Sequence, residues 1–135
     1  MTVLFRSYEL DTSMLRVGCY VKENGYYMIN DNPVYEQPVT RHYILDSDGT
    51  KYEIAPEYLS VNFEDMFDNE GAKIFASLQE DGKGGDMFYI GDKRLNYIAI
   101  LRRNQLMAKQ ENTYGSFIGE GYAKCKNWKV IGIQK

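Results

Sequence analysis

The sequence predicts an α+β protein that is mainly antiparallel β, folded as a small barrel or strongly curved sheet with one or two short helices. Three observations carry this expectation. Twelve tyrosines and twelve glycines in 135 residues favour strands and tight turns over helices. Short apolar or alternating runs recur along the chain, punctuated by Asn, Asp and Gly, as strands and turns are. No repeat, linker or alternation of strands with long helical patterns divides the sequence, so residues 1–135 are read as a single domain.

Val3 to Tyr8 reads as a first strand. Arg16 to Lys22 and Tyr26 to Asn30 flank Glu23-Asn24-Gly25; Asn-Gly tolerates positive φ, so a hairpin turn is expected there. Asp31 to Pro38 contains Pro33 and Pro38 and is expected to be irregular. His42 to Asp46 and Thr50 to Ile54, joined by Ser47-Asp48-Gly49, read as a second hairpin. Pro56 to Asn69 is the best helix candidate, with Pro56 suited to a first turn and Gly71 to a stop. Its acidic residues Glu57, Glu64, Asp65 and Asp68, with Glu70 beyond it, would form a solvated face. Ile74 to Leu78 and Met87 to Ile90 suggest a third hairpin around a flexible Gly-rich loop, and Asn96 to Leu101 is a further apolar run. Arg102 to Gln110 contains good helix formers and is expected as a short helix. Tyr114 to Cys125 and Trp128 to Ile133 close the chain as strands.

Composition bounds the function class. Hydrophobic residues make up 44% and charged residues 26%, ordinary for a chain with a core. No apolar run approaches the roughly 18 residues of a membrane span, and the first residues lack an apolar leader. The expectation is a cytoplasmic protein with no membrane partner. Cys19 and Cys125 fit neither a disulfide framework nor a zinc ribbon and are expected as reduced, buried thiols. The sole histidine, His42, lacks metal-ligand companions at suitable spacing. It is expected near a strand start, facing solvent or a polar neighbour. The sequence implies no cofactor and no metal.

The net charge of −3 is unevenly spread. Residues 1–80 carry 14 acidic and 6 basic side chains, and residues 81–135 carry 5 acidic and 10 basic, balances of −8 and +5. The acidic total argues against binding long duplex nucleic acid. The asymmetry leaves room for an anionic small molecule at the basic end, or for attraction between the halves of one chain or of neighbouring copies.

Tyr43-Ile-Leu-Asp46-Ser-Asp48-Gly49-Thr50 resembles the first motif of the haloacid-dehalogenase-like phosphotransferases, an apolar strand followed by D-x-D-G-T. The resemblance would make Asp46 a nucleophile and Asp48 an acid/base bridged by Mg²⁺, with Asp92 as a later metal ligand. Two features depart from that pattern. Asp92 follows Asp46 by too few residues for the intervening βα units, and Lys51 to Ile54 continues as a strand. Asp and Gly are what a hairpin turn needs. Likewise Asp81 to Asp86 lacks the strand–loop–helix setting of a phosphate loop.

The remaining candidate site is near the end of the chain. If residues 122–129 are extended, Tyr122, Lys124, Lys126 and Trp128 share one face, with Arg102 and Arg103 nearby. Rings that stack on bases and cations that neutralise phosphate would suit a nucleotide or other phosphorylated small molecule. Without a nucleophile–base pair or paired carboxylates, the leading expectation is a small non-enzymatic interaction protein, regulatory or inhibitory in effect, acting through a protein partner or by self-association. Its tyrosine-rich strands supply interface anchors.

Overall fold

The computed structural model describes residues 3–63, 66–90, 96–103, 105–110, 117–119 and 128–135. The architecture is almost entirely strand: β1 (Val3–Tyr8), β2 (Leu15–Ile29), β3 (Asn32–Leu45), β4 (Lys51–Glu53), β5 (Ser60–Phe63), β6 (Ala76–Ser77), β7 (Asp86–Ile90), β8 (Tyr97–Arg102), β9 (Gln105–Gln110), β10 (Phe117–Gly119) and β11 (Trp128–Ile133). The sheet runs β10-β9-β8-β6-β5-β1-β2-β3-β4, with β7 joining β8 to β11. Among the described residues every strand pairing is antiparallel except β6 with β8, where Ser77 faces Ile100.

The sheet curls into a half-barrel. A bridge between Glu9 and Ile54, flanked by bonds from the Ala55 N–H to the Tyr8 carbonyl (2.9 Å) and from the Leu10 N–H to the Glu53 carbonyl (3.0 Å), brings the far edge back to the end of β1. Inside this curl Ile44, Ile54 and Leu59 pack with Phe5 and Tyr20. A second, larger core holds Met66, Ile74, Phe88, Tyr97, Leu106 and Trp128. Phe88 stacks on Trp128 with centroids 3.8 Å apart and planes 9° from parallel.

β1 sends alternate side chains to opposite faces. Phe5 enters the first core. Arg6 turns the other way, donating from Nη2 to Asp86 Oδ1 (2.8 Å) and to the Gly84 carbonyl (2.9 Å), while its guanidinium lies over the Phe75 ring. The second carboxylate oxygen of Asp86 accepts the Phe75 N–H at 2.8 Å. Burial pushes the Asp86 carboxyl above the ordinary carboxylate range, with Arg6 opposing that shift.

The expected helices give way to strands. Among the described residues of Pro56 to Asn69, only Pro56–Tyr58 is helical, a single 3₁₀ turn. Ser60–Phe63 instead fills the place between β1 and β6, where tertiary pairing outweighs helical spacing. Within the expected helix at Arg102 to Gln110, Arg103 takes φ 52° and turns the chain into the β8–β9 hairpin. The Ile74–Leu78 and Met87–Ile90 segments do not pair with each other: β6 joins β5 and β8, and β7 joins β8 and β11. The loop between them is tied into the body. Ser77 Oγ donates to the Lys83 carbonyl (2.7 Å), and the Gly84 N–H donates to the Gln134 carbonyl (2.7 Å). Asp68 is buried and is not part of a solvated helical face. Its carboxylate accepts the N–H groups of Glu70, Ala72 and Val130. Glu64 and Asp65 lie outside the described residues.

Candidate interaction surface

β2 and β3 are 15 and 14 residues long and form one ribbon. β1 borders β2 only from Leu15 to Gly18, and β4 borders β3 only from Tyr43 to Leu45. Beyond those points, apart from the bond from the Ile54 N–H to the His42 carbonyl (2.9 Å), each strand pairs with the other alone among the described residues, out to Ile29 opposite Asn32.

The turn is Asn30-Asp31, with φ of 50° and 64°, the left-handed pair that a two-residue hairpin needs. Asn24-Gly25, expected as the turn, lies inside β2, opposite Thr40 and Val39. Gly25 serves a different purpose: a Cβ there would sit 2.9 Å from Arg41 Nη1. Pro33 and Pro38 are tolerated because the outer edge of β3 is free along this stretch. Between Tyr26, opposite Pro38, and Tyr27, opposite Val34, the register shifts past Tyr35, Glu36 and Gln37.

Strand alternation separates two faces. Even-numbered β2 residues line the concave face. Tyr20 packs on Phe5 with ring centroids 5.5 Å apart, and its hydroxyl pairs with His42 Nδ1. Arg16 lies over Tyr52 (3.8 Å) and pairs with Glu9 (2.9 Å). The odd-numbered residues therefore point outward. They read Leu15, Val17, Cys19, Val21, Glu23, Gly25, Tyr27 and Ile29, and on β3 they lie beside Leu45, Tyr43, Arg41, Val39 and Val34. Leu15 and Val17 are each 40% exposed, Tyr27 51% and Ile29 54%.

A sheet packed on a core with one face normally turns polar side chains to water on the other. Here the outward face is apolar at both ends of the ribbon. Its charges gather at the middle, where Glu23 stands opposite Arg41. Lys51 Nζ reaches Glu23 at 3.1 Å and lies over the Tyr43 ring. Arg41 Nη2 donates to the Tyr26 carbonyl at 2.9 Å. Exposed apolar patches of this kind, at the two ends of one face, mark an interaction site.

The other sequence-stated candidates are distributed as follows. Trp128 is fully buried, in the larger core, and its Nε1 has no hydrogen-bond partner among the described residues. This corrects the expectation of an open stacking ring: alternation along β11 holds, but the side carrying Trp128 is the inner one. Arg102 ends β8 half-buried, and Arg103 is exposed at the turn that follows. Tyr122, Lys124, Lys126, Cys125 and Asp92 lie outside the described residues. Asp46 and Asp48 belong to a hairpin turn. Asp46 Oδ1 accepts the N–H groups of Asp48 and Thr50, and Asp48 Oδ1 accepts the N–H and hydroxyl of Thr50. Cys19, expected buried, is exposed on the outward face. No group of three His, Cys, Asp or Glu side chains is placed to hold a metal among the described residues. No helix among them is long and apolar enough to cross a membrane.

A small recess of about 240 Å³ lies beside Tyr8, Leu10, Ala55, Tyr58 and Lys135, below the usual size of small-molecule sites. No protein-family model, curated protein or solved structure gives a significant match to the chain.

Proposed function

We propose that this chain is a small non-enzymatic interaction protein, regulatory in role, that acts through a protein partner, with the outward face of the β2–β3 ribbon as its contact. One observation carries the reading. Leu15, Val17, Tyr27 and Ile29 of that face are exposed where a solvated sheet would carry polar residues. Tyrosine at the exposed end supplies an anchor of the kind that dominates binding energy. The nucleotide reading has less support, because the indole meant to stack on a base is inside the core.

The test is photo-crosslinking in the producing cell, with a photoreactive phenylalanine in place of Tyr27. The reading expects a discrete protein adduct that Ile29→Asp abolishes and that the same probe at exposed Glu80 does not form. Equal labelling from Tyr27 and Glu80, or no adduct from Tyr27, would contradict it.

A further inference from the structure

We infer that the occupant of this face is a second copy of the chain, packed face to face about a two-fold axis that runs along the ribbon between β2 and β3. The inference rests on the contact surface proposed above and names its partner. The argument is self-complementarity. A two-fold contact sets one patch against itself, and an axis along the ribbon lays β2 of one copy over β3 of the other at the same level. Each outward residue of β2 from Cys19 to Ile29 then meets the residue that stands opposite it within its own ribbon.

That register suits the chemistry. Tyr27 lies level with Val34 and Val21 with Tyr43, so the apolar ends meet apolar ends. At the centre Glu23 lies level with Arg41, so the carboxylate of each copy meets the guanidinium of the other. Had this central pair been two like charges, the same packing would be repulsive. Both groups keep capacity for a second partner. Glu23 already binds Lys51 and Arg41 already binds the Tyr26 carbonyl, but a carboxylate has about four acceptor sites and a guanidinium five donors.

The area sets the strength. Eleven residues of β2, Cys19 to Ile29, stand beside β3; at about 3.3 Å each, across two strands each about 4.8 Å wide, they give roughly 350 Å² of projected face. Two copies together cover about 700 Å², below the roughly 1,200 Å² of stable complexes and in the range of weak, transient ones. The dimer is therefore reversible and depends on concentration.

The experiment measures mass by sedimentation and light scattering across a dilution series of the full chain. The expected result is a rise from 15.7 kDa towards twice that value. Glu23→Arg and Arg41→Glu chains, checked for native circular dichroism, should each stay monomeric alone, because each sets like charges against like. Their equimolar mixture should form a heterodimer, since two cations on one chain then face two carboxylates on the other. A role confined to pairing within one ribbon predicts no such rescue on mixing. Wild-type chain that stays monomeric throughout, or a mixture that stays monomeric, overturns the inference. The photo-crosslink at Tyr27 separates the two failures. Adducts only to a different protein leave the contact surface standing without the self-pairing, and no adduct removes both.

Discussion

Arg6 and Asp86, 80 positions apart, form a 2.8 Å ion pair in the interior, and this pair fastens β1 to the start of β7. Removing one member of a buried pair strands the other charge, at a cost of about 3–5 kcal/mol, whereas replacing both is often close to neutral. Arg6→Met should therefore lower unfolding stability by about that amount in urea titrations. Adding Asp86→Asn, whose amide oxygen still accepts the Phe75 N–H, should recover most of it. A double variant no more stable than Arg6→Met would show that the pair is not what fastens these strands.

Two glycines of β2 should respond differently to alanine. At Gly18 a Cβ would sit 1.9 Å from the Leu45 carbonyl oxygen, so β2 and β3 must part. At Gly25 the obstacle is the mobile end of Arg41. Gly18→Ala should cost about 3 kcal/mol or more, the upper end of overpacking penalties, and Gly25→Ala less than about 1 kcal/mol. Chemical denaturation of both variants checks the order.

The turn at Asp46 to Thr50 should loosen in acid. The Asp46 side chain, followed by the hydroxyl and N–H of Thr50, holds the Asp48 carboxyl down at about 2, against an ordinary 3.8. A carboxyl held below its unfolded value stabilises the fold above that value, and the contribution fades as pH falls from about 3.8 through about 2. Carboxyl carbon shifts should place the Asp48 titration near 2 and move it upward in Thr50→Val. Titration at the ordinary value in the native protein would contradict the turn geometry.

Trp128 should report an apolar interior. Fully buried against Phe88, it should emit at short wavelength and resist iodide quenching until the protein unfolds. A nucleotide panel should leave its fluorescence unchanged. Trp128→Ala should cost about 3–5 kcal/mol, as loss of a large core ring does.

Much of the fold was legible where local chemistry alone decides. The bounds of β1 and β11 match the expected Val3–Tyr8 and Trp128–Ile133 strands, because strand-forming residues end at polar or turn residues there. The Asp46–Thr50 turn was legible because its carboxylates bond the backbone of the turn itself. What failed depended on distant partners. Gly25 looked like turn chemistry, but its lack of a side chain accommodates Arg41, 16 residues on. Ser60–Phe63 is extended because β1 and β6 take up its backbone groups. At Trp128 the ring expected on the wet side is buried, since which side is wet depends on where Phe88 lies. The outward stripe of β2 was itself visible as an apolar alternation from Leu15 to Ile29. The turn expected at Asn24-Gly25 cut it into two unremarkable halves.

The most direct test of the outward face is hydroxyl-radical footprinting of the unmodified protein, dilute against concentrated. Tyr26 and Tyr27 are adjacent and both exposed, at 40% and 51%, but alternation sends them to opposite faces. Concentration should protect Cys19, Tyr27 and Ile29 while Tyr26, Met28 and Tyr35 stay as reactive as before. Protection of Tyr26 and Met28 instead, or of neither set, would contradict it.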